Sequence, residues 1–348
     1  MAPTCALRTL GKNGPKVSAI GFGLESLSTD HYGSHPSDEE RFKICDRALE
    51  LGVTFWDSSD LYGDSEEMVG RWFKRTGKRD EIFIATKFGY VIDSKRYKVD
   101  SSAAYCKQAC DKSLRRLGID SIDLFYVHNV DTETPIESTM RAMKELQAEG
   151  KIKHIGLSAA SAATLRRACK IAPVAAYQMD YSVFTREVEG PAGKDLLATC
   201  RELGVAFVAA MPLGRGMITA AFSNGTPLAD EKDSRAQRMP RFQDANRDAN
   251  ARAVGRLAAF ADAKEDCASV SQLALAWLLK QGADIIPIPG TKRIENLETN
   301  RAAVDVVLSD AEEREIRTLV EGVEIAGAVV PPGMEDFYYR DTKEEGST

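Results

Sequence analysis

Short apolar runs and amphipathic stretches alternate along most of the chain. Residues 53–56 are β-branched and aromatic, which predicts a buried strand, and the amphipathic stretch 65–75 behind them predicts a helix. The same alternation continues to residue 302. It predicts strands at 19–23, 53–57, 82–86, 122–127, 152–157, 174–178, 205–210 and 285–288. It predicts helices at 38–51, 65–75, 101–116, 135–148, 161–170, 190–203, 248–264, 269–280 and 293–302.

This alternation points to an α/β fold with a parallel sheet and helical crossovers. Eight strand-then-helix units within about 300 residues favour a closed (β/α)₈ TIM barrel over an open, doubly wound sheet. A Rossmann fold loses support because no Gly-x-Gly-x-x-Gly follows the first predicted strand. We therefore expect one domain, 1–348, with the barrel at about 19–302.

The two ends of the chain carry their own patterns. Gly11 to Pro15, between two short runs in 5–18, predicts an N-terminal β-hairpin. The C-terminal helix and tail span 309–348. The tail carries Phe337, Tyr338 and Tyr339, so part of it is expected to fold over the barrel rim, with its acidic end disordered.

Composition narrows the class of protein. Hydrophobic residues make up 43% of the chain, as in globular proteins with a large core. The net charge of −6 and the lack of a basic block argue against a nucleic-acid partner. The absence of an 18-residue apolar stretch argues against a membrane span. Residues 1–15 do not resemble a signal peptide, so we expect a cytoplasmic protein.

The cysteines do not suggest a structural or metal site. There are seven, an odd number, and no Cys-x-x-Cys occurs. We expect reduced thiols, no disulfide framework and no bound metal.

Three predicted strands end in polar residues that are capable of chemistry. Asp57 ends the second, and Tyr62 follows five residues later. Lys87 follows the third predicted strand and His128 the fourth. In a parallel barrel these ends share one rim, where active sites are built, so the sequence predicts that the four side chains meet.

Seven short motifs occur in order along the chain. They are Gly21-Phe-Gly23, Asp57-Ser-Ser-Asp-Leu-Tyr62-Gly63, Thr86-Lys87-Phe88, Asp123-Leu-Phe-Tyr-Val-His128, Gly156-Leu-Ser158, Pro212-Leu-Gly-Arg-Gly216 and Ile288-Pro-Gly-Thr-Lys292. Each motif alone is weak, but together and in this order they resemble the aldo-keto reductases, especially the microbial and plant branch of pyridoxal reductases and alkaloid-reducing enzymes. The resemblance runs from about residue 7 to about residue 325.

The resemblance implies NADPH-dependent reduction of a small aldehyde or ketone, and a hairpin that plugs the bottom of the barrel. Tyr62 would be the proton donor, and the Lys87 ammonium would lower its pKa. Asp57 would keep Lys87 charged. His128 would orient the carbonyl oxygen.

The resemblance also implies a set of cofactor-binding residues. Ser158 and Gln178 match the positions that hold the nicotinamide carboxamide. Lys292 and Arg293 could both reach a 2′-phosphate, although they could also be ordinary surface charges of the last helix. The full set is Gly23, Leu24, Ser158, Gln178, Pro212, Leu213, Gly214, Gly216, Gly290, Thr291, Lys292, Asn296 and Asn300.

Four positions depart from the family pattern: Glu25, Ala159, Ala210-Met211 and Thr299. Ala210 stands where an aromatic residue usually stacks under the nicotinamide. If Ala210 faces the site, strand alternation predicts that Met211 points away. The departures put cofactor affinity and substrate choice in doubt, but not the reaction class.

Two alternative functions stay open at this point. One is an NADPH-binding regulatory redox sensor with little turnover, and the other is a Schiff-base lyase that uses Lys87. The physiological substrate, the direction of reaction and the oligomeric state cannot be read from the sequence.

Overall fold

The structure, a computed structural model, describes residues 5–91, 98–228 and 230–346. Eight parallel strands form one sheet in the order in which they occur along the chain. They are β1 Phe22–Gly23, β2 Phe55–Asp57, β3 Phe83–Phe88, β4 Ile122–Val127, β5 Ile152–Ser158, β6 Ala176–Asp180, β7 Ala206–Ala210 and β8 Ile285–Pro287. Two antiparallel pairs lie outside this sheet: Leu7–Thr9 with Lys16–Ser18, and Tyr90–Val91 with Lys98–Val99.

The sheet closes because its first and last strands pair through backbone groups. The Gly21 N–H donates to the Pro287 carbonyl at 2.9 Å, and the Gly23 N–H donates to the Pro289 carbonyl at 3.2 Å. A Cβ on Gly23 would lie 2.8 Å from the Ile288 carbonyl oxygen. The seam, where β1 meets β8, therefore requires glycine at this position. Closure confirms the predicted (β/α)₈ barrel and excludes the open sheet.

Side chains alternate between the inside of the barrel and the surrounding helices, as strand geometry requires. In β4, Leu124 and Tyr126 belong to the interior cluster, whereas Phe125 packs in the core between sheet and helices. Leu10 and Val17 of the N-terminal hairpin join the interior cluster. The hairpin therefore plugs the barrel, as expected.

The helices that follow the barrel strands lie close to their predicted positions. They are α1 Asp38–Glu50, α2 Ser65–Thr76, α3 Ala103–Leu117, α4 Ile136–Ala148, α5 Ala162–Ile171, α6 Leu196–Leu203, α7 Val270–Lys280 and α8 Ile294–Ala302. Additional helices are Glu25–Ser28, Ala220–Ser223, Arg235–Arg238, Asp244–Asp262 and Asp310–Glu321. Within the described ranges, no helix has both the length and the apolar character that a bilayer span requires.

Local sequence explains where helix α1 begins, and the structure corrects the predicted start of helix α6. Ser37 and Glu40 form a capping box at the start of α1, which satisfies backbone N–H groups left free by the first turn. The predicted helix 190–203 is wrong over its first six residues. Pro191–Gly193 is a 3₁₀ turn, and Lys194 and Asp195 have positive φ angles, so α6 begins at Leu196.

The C-terminal tail crosses the carboxyl rim and is fastened on its far side. Arg167 of α5 donates hydrogen bonds to the carbonyls of Thr342 at 2.8 Å and Lys343 at 2.7 Å, and Thr342 is buried. Folding over the rim is thus confirmed. At the acidic end Glu345 pairs with Arg141, and the expected disorder there stays a prediction. Residues 347 and 348 lie outside the described residues. The assignment of the whole chain to one domain stays a prediction.

The hairpin is fixed to the barrel by Arg8, which generates a stability prediction. Its guanidinium donates to the carbonyls of Leu279 at 2.7 Å and Gly282 at 2.6 Å, at the end of α7. We expect Arg8→Met to lower the free energy of unfolding by about 1.5–3 kcal/mol, the usual cost of losing hydrogen bonds from a charged group. Urea denaturation would measure it. Lys16→Met, an exposed change in the same hairpin, should stay within about 0.5 kcal/mol of the parent, and equal effects would contradict the role of Arg8.

Candidate active site

Four polar side chains meet at the carboxyl rim of the barrel. Asp57 ends β2, Lys87 lies in β3, His128 directly follows β4, and Tyr62 lies in the loop after β2. Lys87 contacts both Asp57 and Tyr62, and the Tyr62 ring meets the His128 ring edge-on at 5.8 Å. The structure therefore brings together all four residues for which the sequence predicts catalysis.

Lys87 is the centre of this group. Its ammonium is fully buried and donates to the Asp57 carboxylate, to the Ser58 carbonyl at 2.7 Å and to the Tyr62 hydroxyl at 3.4 Å. Since an ammonium has three protons, these acceptors use its whole hydrogen-bonding capacity. Lys87 thus ties the loop that carries Tyr62 to strands β2 and β3.

Asp57 is 2% exposed and is held by two partners. Burial raises the pKa of this carboxyl, and the Lys87 ammonium opposes the rise. The Gln178 amide of β6 donates to the second carboxylate oxygen at 2.8 Å. The residue predicted to hold a carboxamide therefore also completes the hydrogen bonding of the buried ion pair.

The expected lowering of the Tyr62 pKa is wrong for this structure. Burial raises the pKa of the phenol well above its usual range, and the charges of Glu25 and Asp57 raise it further. Asp57 pairs directly with Lys87 and so offsets the ammonium. Tyr62 is therefore a neutral phenol that keeps its proton until a strong base forms beside it.

His128 is held by a partner that the sequence did not identify. Its Nδ1 lies 3.1 Å from the Ser59 hydroxyl, and its ring meets the Tyr90 ring edge-on at 5.1 Å. Burial, followed by the charge of Lys87, holds the pKa of His128 well below its usual range. The imidazole is therefore neutral, with Nδ1 engaged by the Ser59 hydroxyl. The serine could have been noticed, because it lies between Asp57 and Tyr62 in the same motif.

Two cavities meet at these residues. A cleft of about 490 Å³ runs to the start of α8, and a chamber of about 240 Å³ opens on the side of His128 and the tail. Glu25, one of the departures noted above, lines both, and its carboxylate lies 3.1 Å from His31 Nδ1. Residues shared by the two linings include Glu25, Tyr32, Tyr62, Gln178, Ala210 and Met211.

The tail supplies part of the chamber wall. Phe337 stacks on Tyr90 with ring centroids 6.2 Å apart, and Asn129 donates to the Phe337 carbonyl at 2.8 Å. The Tyr338 hydroxyl donates to Asp180 at 3.0 Å. Sequence reasoning missed Tyr90, Asn129 and Asp180. The position of Asn129, directly after His128 at the strand end, was the available signal.

Most residues predicted to bind a cofactor line the cleft. They are Gly23, Gln178, Pro212, Leu213, Gly216, Gly290, Thr291, Lys292, Asn296 and Asn300. Ser158 lines the chamber instead. Leu24 is buried in the core, and Gly214 borders a small neighbouring pocket.

The cleft fits a dinucleotide. It reaches from Asp57 and Tyr62 at one end to Arg293 and Asn296, at the N-terminus of α8, at the other. A helix N-terminus favours anions because its backbone N–H groups point outward. The buried Ser26 hydroxyl, which also lines the cleft, has no hydrogen-bond partner among the described residues, and a bound ligand would supply one.

Lys292 is engaged in an unexpected way. Its ammonium donates to the carbonyls of Tyr32 at 2.7 Å, Gly33 at 3.0 Å and Ser34 at 3.0 Å. The Ser34 N–H in turn donates to Asp230 at 2.7 Å. Lys292 thus fastens the loop 32–34, whereas Arg293 is exposed at the cleft.

The expectation that Met211 points away from the site is wrong. Ala210 and Met211 both line the two cavities, and the Tyr32 hydroxyl lies 3.6 Å from the Met211 sulfur. The alternation rule fails because β7 ends at Ala210 and Met211 adopts a positive φ of 47°. A thioether therefore lies beside the alanine where relatives are expected to carry an aromatic ring.

Comparison with known proteins identifies a family. The family model described as "Aldo/keto reductase family" matches residues 19–321. The chain is 46% identical over 331 residues to the aldo-keto reductase yakc [NADP(+)] of Schizosaccharomyces pombe, covering 94% of this chain and 95% of that one. It is 45% identical over 315 residues to the aldo-keto reductase str7 of Strobilurus tenacellus, covering 89% and 91%.

Solved structures agree. A glycerol dehydrogenase from Gluconobacter oxydans superposes with a TM-score of 0.79 at 25% identity, over 92% of this chain and 97% of the other. The holo form of an aldo-keto reductase from Bacillus halodurans superposes with a TM-score of 0.73 at 27% identity, over 93% and 98%.

The buried ion pair generates a second stability prediction. Lys87→Met leaves the Asp57 carboxylate buried without its cation, so unfolding should become easier by about 3–5 kcal/mol. Lys87→Met combined with Asp57→Leu should recover most of this loss, because no ion then needs desolvation. Urea denaturation of the parent and both variants would test it. A double variant as unstable as the single one would contradict the explanation.

The free energy of unfolding of the single variant Lys87→Met should also depend on pH in a characteristic way. Without Lys87, the raised pKa of Asp57 loses the charge that opposes its rise. A carboxyl whose pKa is raised on folding contributes stability below its unfolded pKa, and that stability is lost as the pH rises through the folded pKa. The loss in free energy of unfolding of Lys87→Met, relative to the parent, should therefore be smaller at about pH 5 than at about pH 8.

Proposed function

Because the chain belongs to the aldo/keto reductase family, we propose that it reduces an aldehyde or ketone to an alcohol with NADPH. The observation that carries the proposal is the contact of Lys87 with both Asp57 and Tyr62, next to His128, where the cleft and the chamber meet. The name of the Schizosaccharomyces pombe relative supports NADP as the cofactor. When bound, the nicotinamide supplies the hydride that no side chain can provide.

Tyr62 is the proton donor in this proposal. As hydride reaches the carbonyl carbon, charge develops on the carbonyl oxygen, which becomes basic enough to take the phenolic proton. The Lys87 ammonium, 3.4 Å from the Tyr62 oxygen, stabilises the phenolate that is left. Asp57 holds Lys87 in place, and Tyr62 recovers its proton from solvent after the alcohol leaves.

His128 orients the substrate. Its Nδ1 is held by Ser59, so Nε2 is the nitrogen left to meet the carbonyl oxygen. A neutral imidazole can donate a hydrogen bond there without taking part in proton transfer. This fits the strongly lowered pKa of His128.

The cofactor would lie along the cleft. Ser158 and Gln178, near Asp57 and Tyr62, would hold the carboxamide, and Gly214 and Gly216 would allow the pyrophosphate to approach the backbone. Gly23, Leu24, Pro212 and Leu213 belong to the same proposed set, although the side chain of Leu24 is buried in the core. Gly290, Thr291, Lys292, Asn296 and Asn300 would bind the adenosine end. The lining of the cleft, which extends from Asp57 and Tyr62 to the start of α8, and the unpartnered Ser26 hydroxyl support this placement.

The contacts of Lys87 do not favour a Schiff-base lyase. Each ammonium proton faces an oxygen acceptor, and the side chain is fully buried. A nucleophilic amine needs a free lone pair and access to the carbonyl carbon.

The chamber, of about 240 Å³ and lined by aromatic and methionine side chains, supports a small carbonyl substrate.

Substitution of the proposed proton donor tests this function. Tyr62→Phe should lower kcat for an aromatic aldehyde by about 10²–10⁴-fold, the usual contribution of general acid catalysis. NADPH affinity, measured by fluorescence titration, should change little. Lys87→Met should be comparably damaging to turnover. Tyr90→Phe, which removes a hydroxyl from the same chamber, is the matched control and should retain most activity. Wild-type turnover by Tyr62→Phe would overturn the assignment.

We further expect a preference for NADPH over NADH, carried by Lys292 and Arg293. The double alanine variant should lose roughly 1.5–3 kcal/mol of NADPH binding, about 10–150-fold in Kd, and little NADH binding. Among single variants, Arg293→Ala should be the more selective, since Lys292 also fastens loop 32–34. Titration of each variant with both cofactors would decide. Equal losses for the two cofactors would show that neither charge reads the phosphate.

A further inference from the structure

Two buried polar side chains, Ser59 and Asp60, lie behind His128, and the mechanism above uses the contact of Ser59 but does not specify where its proton lies. Ser59 is 1% exposed, and its oxygen lies 3.1 Å from His128 Nδ1. Asp60 is 4% exposed, and its carboxyl Oδ1 lies 3.4 Å from the same serine oxygen. The three side chains form a continuous path from the chamber towards helices α2 and α3.

The Ser59 hydroxyl can donate only one hydrogen bond. Its oxygen already accepts a hydrogen bond from the Leu61 N–H at 3.2 Å. The hydroxyl proton can therefore point to His128 Nδ1 or to Asp60 Oδ1, but not to both. If it points to His128, Nδ1 is bare and the neutral imidazole carries its proton on Nε2. If it points to Asp60, Nδ1 must carry the proton and Nε2 is bare.

We propose that Asp60, acting through Ser59, sets the tautomer of His128 and thereby decides whether Nε2 meets the substrate oxygen as a donor or as an acceptor. This proposal rests on the proposed function, in which His128 faces the reacting oxygen. A neutral Asp60 leaves the serine proton to His128, so Nε2–H donates to a carbonyl oxygen. An ionised Asp60 attracts the serine proton, because hydrogen bonds to charged acceptors are the stronger ones. The bare Nε2 then suits the hydroxyl of an alcohol.

The surroundings of Asp60 allow it to change state near neutral pH. Glu66 faces it from α2, Arg116 and Lys112 face it from α3, and its own N–H donates to the Lys87 carbonyl of β3 at 3.2 Å. Burial raises the pKa of Asp60 to about 7, the charge of Glu66 adds to the rise, and Arg116 and Lys112 oppose it. Glu66 is itself held by the Thr86 hydroxyl at 2.6 Å and by Arg116 at 3.2 Å.

Within the described ranges, His128 is contacted by a hydrogen bond from one side and by a charge and two aromatic rings from the others. Besides Ser59, the imidazole is faced by Lys87, Tyr62 and Tyr90. The hydrogen bond described at Nδ1 is the one with Ser59. Asp60 and Ser59 are therefore positioning residues: they act on the substrate through His128.

Nitrogen NMR of histidine side chains tests the relay directly. The NADP⁺-loaded protein, labelled with ¹⁵N-histidine, would be titrated from about pH 5.5 to 8.5, and His128, one of four histidines, would be assigned with a His128→Asn variant. We expect the proton to move from Nε2 to Nδ1 near pH 7. Asp60→Asn, which has no titrating proton, and Ser59→Ala, which breaks the path, should both abolish this transition.

Two charge variants outside the path test whether the pH of the transition moves in the direction that the charges around Asp60 predict. They also show that a charge change in this region leaves the protein folded. Glu66→Gln removes a repelling charge, so the transition should move to lower pH. Lys112→Gln removes an attracting charge, so it should move to higher pH. In the wild type, kcat/KM for carbonyl reduction should fall by about 10²-fold across the transition, the cost of losing one donor to the developing oxyanion. Asp60→Asn should not show this fall.

A single tautomer across the whole range in the wild type would overturn the relay, as would an unchanged transition in Asp60→Asn or Ser59→Ala. The tautomer is read without turnover, so the two proposals fail separately. A tautomer switch in a protein that reduces no carbonyl compound would count against the proposed function alone. Efficient reduction by a protein with one fixed tautomer would count against the relay alone.

Discussion

The buried ion pair of Asp57 and Lys87 is the interaction on which the site depends. Both side chains are almost fully removed from water, and each ion costs several kcal/mol to desolvate. Their mutual attraction offsets that cost only because the Ser58 carbonyl and the Gln178 amide satisfy the remaining hydrogen bonds. These groups come from β2, β3 and β6, so the pair requires the closed barrel. The electrostatics of the site and the closure of the barrel therefore depend on each other.

The sequence was sufficient for those features that short segments determine. Buried strands such as β4 are mostly apolar, with Asp123 as the exception in β4, and a change to polar residues marks their carboxyl ends. Because parallel strands in a barrel end at one rim, Asp57, Lys87 and His128 could be brought together without coordinates. The seam between β1 and β8 agrees with this, since glycines stand where the backbones approach most closely.

The features that the sequence did not predict depend on contacts between distant residues or on departures from regular geometry. The raised Tyr62 pKa results from burial and from Glu25, which lies 37 positions earlier in the printed sequence. Lys292 is fastened to a loop near residue 33, which no local pattern connects with it. Met211 reaches the site only because its backbone leaves the strand conformation. Ser59 and Asp60 stand inside the most recognisable motif, yet their role depends on packing against His128 and Glu66.

The tail that crosses the rim separates two kinds of information in this protein. The groups proposed for bond making belong to the barrel, whereas Phe337 and Tyr338, which shape the chamber, belong to a segment fastened by Arg167 beyond it. The proposed chemistry therefore depends on the barrel, whereas the shape of the chamber depends on the barrel and the tail together. A substitution at Phe337 or Tyr338 can alter the chamber without removing any contact of the buried ion pair.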